Sequence, residues 1–206
     1  MLTLDSHLHD AVIFDCDGTL VDTMPLHFTA WRTALAKFHA SFEFTCELFN
    51  RRAGMAIERT VEELNHEFGC LLPPEQVAEA QRAVYLTTAA NIDPIEHVVA
   101  FARSLDGLCP MAVASGSSRT SVQAALQCIK LLTSFQTIVT PNDVRAGKPA
   151  PDMFLLAASR LGVAPHRCLV IEDGILGLEA AQRAGMDAYC VDRDGGVTWS
   201  GCARTH

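Results

Sequence analysis

Four short stretches of this sequence place reactive or charged side chains at the ends of apolar runs or beside glycine and proline. Asp15-Cys16-Asp17-Gly18-Thr19-Leu20 follows Val12-Ile13-Phe14. Its two carboxylates, two residues apart after a strand, can share one site, and Gly18 lets the chain turn sharply. Ser115-Gly116-Ser117 follows Val113-Ala114. A serine hydroxyl with backbone N–H groups ahead of a helix makes a cradle for an anion. Lys148, one of three lysines in the chain, stands against Pro149 at the start of a helical pattern. Glu172-Asp173-Gly174 follows Val170-Ile171, and adjacent acids repel one another unless a cation lies between or beside them. Each stretch has a plainer explanation when taken alone. The acids and glycines suit strand-end turns, Ser117 or Ser118 suits a helix N-cap, and a lysine is ordinarily a solvated side chain.

What would bring the four together is the order of elements. Ala11–Phe14, Met111–Ala114, Thr137–Val139, Cys168–Ile171 and Ala188–Val191 are continuous apolar runs, the pattern of strands covered on both faces. Helical stripes separate them. Ile95, Val98, Val99, Ala102 and Leu105 form one, and Val122, Ala125, Leu126 and Ile129 another. Phe154, Leu155, Ala158 and Leu161 form a third, and Leu178, Ala181 and Ala184 a fourth, closed by Gly185. Strand and helix in alternation predict an α/β fold, a Rossmann-like parallel sheet flanked by helices. In such a sheet ligands bind beyond the carboxyl ends of the strands, so Asp15, Ser115 and Glu172-Asp173 are expected on one edge. From Pro25 to Asn91 no strand pattern occurs. Phe28, Trp31, Leu35 and Phe38, then Ile57, Val61, Leu64 and Phe68, then residues 74–88, read as helices. The expected organisation is therefore an α/β core of residues 1–24 and 92–206 with an all-helical domain, 25–91, inserted after the first strand. The tail, 194–206, is polar and glycine-rich and predicts no element.

Composition narrows the partners. The chain has 206 residues, 49% hydrophobic and 19% charged, with a formal net charge of -8. That excludes disorder and argues against a nucleic-acid backbone as partner. Eight cysteines without a C-x-x-C pair read as reduced thiols of a cytoplasmic protein. No signal peptide pattern opens the sequence and no apolar run has the length of a membrane span. Oligomeric state is not encoded in any pattern found.

The four stretches, in this order and spacing, resemble the motifs of the haloacid dehalogenase superfamily. Asp15-Cys16-Asp17-Gly18-Thr19-Leu20-Val21-Asp22-Thr23 is similar to its first motif, and Glu172 through Gly177 with Ala180-Ala181 and Ala184-Gly185-Met186 to its last. The helical insertion resembles the small cap of the β-phosphoglucomutase and sugar-phosphatase branch. His27-Phe28-Thr29-Ala30-Trp31 resembles that branch's H-x-x-x-W, which implies substrate contact for His27 and Trp31, although Trp31 also lies on an apolar stripe. The resemblance implies Asp15 as a nucleophile that forms an aspartyl-phosphate, and Asp17 as the general acid–base, protonated for the departing alcohol. It implies Ser115, Gly116 and Lys148 as phosphate-binding residues. It implies Mg2+ held by Asp15, the backbone carbonyl of Asp17, and Asp173, with Glu172 a ligand directly or through water. Thr23 and residues 91–94 would be hinges of the cap.

The expected activity is a phosphatase acting on a small phosphorylated sugar or sugar acid, such as fructose 1-phosphate or 6-phosphogluconate. The alternative is a sugar phosphomutase. Against it, Ile57 stands where the mutases carry an arginine for the distal phosphate, and Arg59 is expected to point elsewhere on the helix. A dehalogenase would lack the carboxylate of Asp17, and a phosphonatase would need a cap lysine better placed than Lys37. A non-catalytic binding module on the same fold is a third reading, weakened because every chemical position is filled.

Overall fold

The structure, a computed structural model, describes residues 2–88 and 92–200. Its centre is a six-stranded sheet: β1 (Ala11–Phe14), β2 (Met111–Ala114), β3 (Thr137–Val139), β4 (Cys168–Glu172), β5 (Asp187–Val191) and β6 (Val197–Ser200), in the order β3-β2-β1-β4-β5-β6. All neighbouring pairs are parallel except β5 with β6. Register places Phe14 beside Val113 on one side and Ile171 on the other, so the residues that follow these strands emerge together.

Strand side chains alternate between two apolar layers, as the period of two requires. Val12, Phe14, Met111, Val113, Leu169 and Ile171 face one layer, packed against α5 (Glu96–Leu105) and α6 (Arg119–Cys128). Ala11, Ile13, Ala112, Ala114 and Val170 face the other, against α7 (Asp152–Leu161) and α8 (Ile175–Arg183). Both faces are covered, which is why β1, β2 and β4 are apolar without alternation.

Between β1 and β2, ahead of α5, the chain forms α1 (Met24–Lys37), α2 (Cys46–Asn50), α3 (Ile57–Phe68) and α4 (Pro74–Thr88), with no strand among the described residues. These helices enclose an apolar cluster of their own, including Trp31, Leu35, Phe44, Leu48, Val61, Leu64 and Val77. The single-turn α2 is too short to show a period. It is fixed by Thr45, whose hydroxyl accepts from the Leu48 N–H at 3.2 Å, and by Leu48 and Phe49 in the cluster. The two connections to the sheet run side by side: Asp22 N–H donates to Asp93 O at 2.9 Å and Ile95 N–H to Leu20 O at 3.0 Å. Asn91, within the expected hinge, lies outside the described residues.

The tail departs from expectation. Residues 194–196 are the turn of a hairpin and Val197–Ser200 pairs antiparallel with β5, setting Trp199 opposite Tyr189. Gly195 adopts φ +94, and one Asp192 oxygen accepts from the N–H groups of Asp194 and Gly196 at 2.9 and 2.7 Å. The glycines and aspartates that read as a structureless tail are the chemistry of that turn. Residues 201–206 lie outside the described part, Cys202 among them; no disulfide joins the cysteines that are described.

Because Leu64 is fully buried in the insertion's cluster, Leu64→Ala should destabilise the protein by about 2–5 kcal/mol. Urea denaturation followed by circular dichroism measures this. A loss within about 0.5 kcal/mol, the scale of a surface substitution, would contradict a packed insertion core.

Candidate active site

The first motif begins where β1 ends. Asp15 N–H continues the ladder by donating to Ile171 O at 2.9 Å. The chain then turns, with the N–H groups of Leu20 and Val21 directed at Cys16 O. Gly18 has φ +89, and a Cβ there would lie 2.2 Å from Asp173 Oδ2. Both the left-handed backbone and the close approach of the second acidic stretch therefore demand glycine.

β4 delivers Glu172 and Asp173 to the same edge. One Glu172 oxygen accepts from the N–H groups of Asp173 and Gly174, both at 2.8 Å, and the other meets Lys148. A Cβ on Gly177 would lie 1.7 Å from that second oxygen, so the carboxylate packs directly on α8. Lys148 is buried, with Nζ 2.6 Å from Asp15 Oδ1 and 2.5 Å from Glu172 Oε1. Burial works against its charge, but the two carboxylates outweigh it and hold the ammonium above the ordinary lysine range.

Asp15, Glu172 and Asp173 can each offer one oxygen within 4.8 Å of the others. Burial pushes the Asp15 carboxyl well up, and the charges of Glu172 and Asp173 add to this against the pull of Lys148. Asp173 is pushed up to about 7 by burial and by Glu172, although the Thr19 hydroxyl donates to it at 2.8 Å. Three acids thus share one lysine, and the surplus of negative charge on oxygen donors suits a hard divalent cation.

Asp17 stands apart from this cluster. Its Oδ1 accepts from Thr23 Oγ1 at 2.7 Å and from His27 Nε2 at 3.0 Å. Its Oδ2 accepts from Ser117 Oγ at 2.7 Å and Ser115 Oγ at 3.3 Å. Burial alone would raise this carboxyl, but the field and hydrogen bond of His27, with Ser117 and Thr23, hold it below the usual carboxylate range. Four donors thus surround the Asp17 carboxyl and favour its ionised form, the form that can accept a proton.

The other expected residues divide. Ser115 is buried beside Asp17, and its hydroxyl accepts from the Ser117 N–H at 3.1 Å. The plain role of helix cap belongs to Ser118, which accepts from Ser121 N–H at 3.2 Å. Gly116 lies under the insertion: a Cβ there would sit 2.3 Å from Gly54 O. His27 reaches Asp17, whereas Trp31, one turn on, is 5% exposed in the insertion's core with its ring 5.5 Å from Phe44. Ile57 is buried in the same core. Arg59 is exposed and paired with Glu62 and Glu63 at 3.1 and 3.6 Å. Thr19 and Ser117 joined the site without a spacing signal of their own.

Two clefts flank these residues where the insertion meets the sheet. One of about 490 Å³ is lined by Gly18, Met24, Phe28, Phe49, Ile95 and Asp173. The other, about 720 Å³, is lined by Met55, Arg59, Arg145, Gly147 and Lys148 among others. Arg59 lines the second cleft from a different side of α3 than the buried Ile57.

Comparison with known proteins gives the same family as the motifs. The model of haloacid dehalogenase-like hydrolases matches residues 9–185. A fructose-1-phosphate phosphatase of Escherichia coli is 36% identical over 181 residues, covering 87% of this chain and 95% of that protein. A β-phosphoglucomutase of Bacillus subtilis is 31% identical over 189 residues, covering 88% and 82%. A hydrolase from Pseudomonas syringae superposes with a TM-score of 0.78 at 28% identity, covering 87% of this chain and 82% of that one. With its strand-end acids, its buried lysine and its helical insertion after β1, this chain belongs to the haloacid dehalogenase-like hydrolases.

Proposed function

We propose that the protein is a Mg2+-dependent phosphatase that hydrolyses a small phosphorylated sugar or sugar acid through a phosphorylated Asp15. The observation that carries this reading is the buried contact of Lys148 with both Asp15 and Glu172, beside an acid cluster one cation short of balance. Asp15, the backbone carbonyl of Asp17, Asp173 and Glu172 are the ligands in this proposal. When bound, Mg2+ would offset the charge of the cluster and of the transferring phosphoryl group.

The chain's own residues supply the rest. Asp15 is the nucleophile, held in one orientation by Lys148. Lys148, the Ser115 hydroxyl and the Gly116 N–H donate to phosphoryl oxygens, fixed donors for a transition state whose stabilisation is mostly electrostatic. Asp17, in its ionised form, takes a proton from the water that hydrolyses the phosphorylated Asp15. To protonate the departing alcohol first, it must carry a proton. Its burial favours that form, so loosening of the bonds from Ser117 and His27 would turn the same residue from base to acid. The insertion, seated with Gly54 against Gly116, excludes bulk water from Asp15.

The phosphatase reading is preferred to the mutase because Ile57 is buried and uncharged at the position expected to grip a second phosphate. Phosphate release from a panel of sugar phosphates, with and without Mg2+, tests it, with isomerisation of β-glucose 1-phosphate assayed in parallel. Mg2+-dependent release without isomerisation is the expected result; isomerisation would make the protein a mutase. Asp15→Asn should lower release at least about a thousandfold with an unchanged circular dichroism spectrum. Activity near wild type in this variant would remove Asp15 as nucleophile.

The acid cluster also makes stability depend on pH. Asp15 and Asp173 bind protons more tightly when folded than when unfolded, so their contribution is full below their unfolded values and is lost as pH rises through the folded ones. Asp17 works in the opposite sense, but only below about pH 4. Metal-free protein should melt at progressively lower temperature from about pH 4 to about pH 7. Saturating Mg2+ should reverse the trend at its upper end. Scanning calorimetry at stepped pH reads both. A flat profile that Mg2+ leaves unmoved would contradict the metal assignment.

A further inference from the structure

We infer that Asp143 is a positioning residue that ties together the two phosphate-binding stretches, Ser115-Gly116 and Lys148, and sets the spacing of their donors. The inference rests on the reading of those residues as the phosphoryl site. Asp143 closes a single 3-10 turn, Pro141–Asp143, that follows β3. Its Oδ2 accepts from the Thr140 N–H at 2.9 Å, from Thr140 Oγ1 at 3.0 Å and from Arg119 Nη2 at 2.7 Å. Its Oδ1 accepts from Arg160 Nη2 at 3.0 Å. Both guanidinium groups also donate to Ile138 O in β3, at 3.1 and 3.2 Å. Arg119 is the first residue of α6, and Arg160 stands in the last turn of α7. One carboxylate thus joins the end of β3, the start of α6 and the end of α7.

An exposed ion pair between long side chains contributes little, but this contact is of another kind. The Asp143 side chain is 16% exposed, and two of its donors belong to the buried Thr140. Burial would raise its carboxyl, yet the Thr140 N–H, Arg160, the Thr140 hydroxyl and the charge of Arg119 hold it down to about 2. An amide in its place would turn an N–H toward either Arg160 or the three donors on Oδ2. The carboxylate also stands at the edge where the site lies. Ser115 N–H donates at 3.1 Å to the carbonyl of Val139, the residue before Thr140. The Ser115-Gly116 stretch therefore runs between the end of β3 and the α6 start that Arg119 opens. Lys148 follows Asp143 on the same segment. Between them Val144 packs on the second apolar layer, while Arg145 and Ala146 are exposed. The segment is pinned at Asp143 on one side and at Lys148 on the other. Donors fixed in advance bind a phosphoryl group best when their spacing does not vary.

The test uses the full chain with Mg2+ and three readouts: affinity for inorganic phosphate by titration calorimetry, KM and kcat for fructose 1-phosphate, and melting temperature. Asp143→Asn keeps the shape and sets an N–H against one group of donors. It should weaken inorganic phosphate about tenfold and raise KM by a similar factor, with kcat within about threefold of wild type. Arg160→Met removes only the donor on Oδ1 and should weaken phosphate about threefold. Unchanged phosphate affinity and KM in folded Asp143→Asn, with the melting temperature alone lowered, is what a purely structural network predicts and overturns the inference. If that variant does not fold, unchanged phosphate affinity in Arg160→Met overturns it in the same way. So does a wild-type chain that binds no phosphate. A wild-type chain that binds phosphate but releases none from the sugar phosphates would count against the phosphatase, while the affinities of the two variants still decide the role of Asp143.

Discussion

Lys148 carries a charge on a side chain with no exposed surface, bonded at once to Asp15 and Glu172. An unpaired ammonium could not be kept there, and neither could the acids without it. This single contact ties the carboxyl ends of β1 and β4 to the segment that precedes α7. It explains why the site sits where it does: three separate parts of the chain must meet within hydrogen-bond distance for any of the charges to be buried. The parallel sheet makes that meeting possible, since β1, β2 and β4 run in one direction and end at one edge. Glycine at 18 and 177 lets the acids approach to distances that any side chain would forbid.

Within that frame, two carboxylates two residues apart are given opposite environments. Asp15 lies among acids and is raised; Asp17 lies among donors and is lowered. The pair is separated by Cys16, which points into the apolar layer, so successive side chains diverge as they do along a strand. A nucleophile and a proton-transfer group need this kind of separation to work side by side without exchanging roles. The helical insertion is part of the device. Thr23 stands just ahead of its first helix, His27 lies on that helix, and Gly54 rests on Gly116 from above, so the environment of Asp17 is complete only with the insertion in place.

Much of this was legible in residue types. Apolar runs marked β1 to β4 and nearly all of β5, and polar residues closing those runs marked Asp15, Ser115, Glu172 and Asp173. The helical insertion showed as a long stretch without a strand pattern. What could not be read was whatever depends on pairing across the chain. β6 was hidden because the glycines and aspartates of its hairpin turn resemble a loose tail. The short α2 has no period to detect. His27 and Trp31 share a helix spacing, yet one reaches Asp17 and the other fills a core, a choice made by α4 and by Phe44 rather than by the spacing. The same holds for Asp17, whose four donors come from two distant stretches, residues 23–27 and 115–117.

The central claim is that Asp15 takes the phosphoryl group. It is tested most directly by mixing the protein with fructose 1-phosphate and Mg2+, quenching in acid within the first turnover, and locating phosphate on the digested chain by mass spectrometry. Phosphate on the peptide at Asp15, absent when quenching follows substrate exhaustion, is the result predicted. Phosphate found on Asp17 or Ser115, or continued turnover with no residue ever labelled, would contradict it.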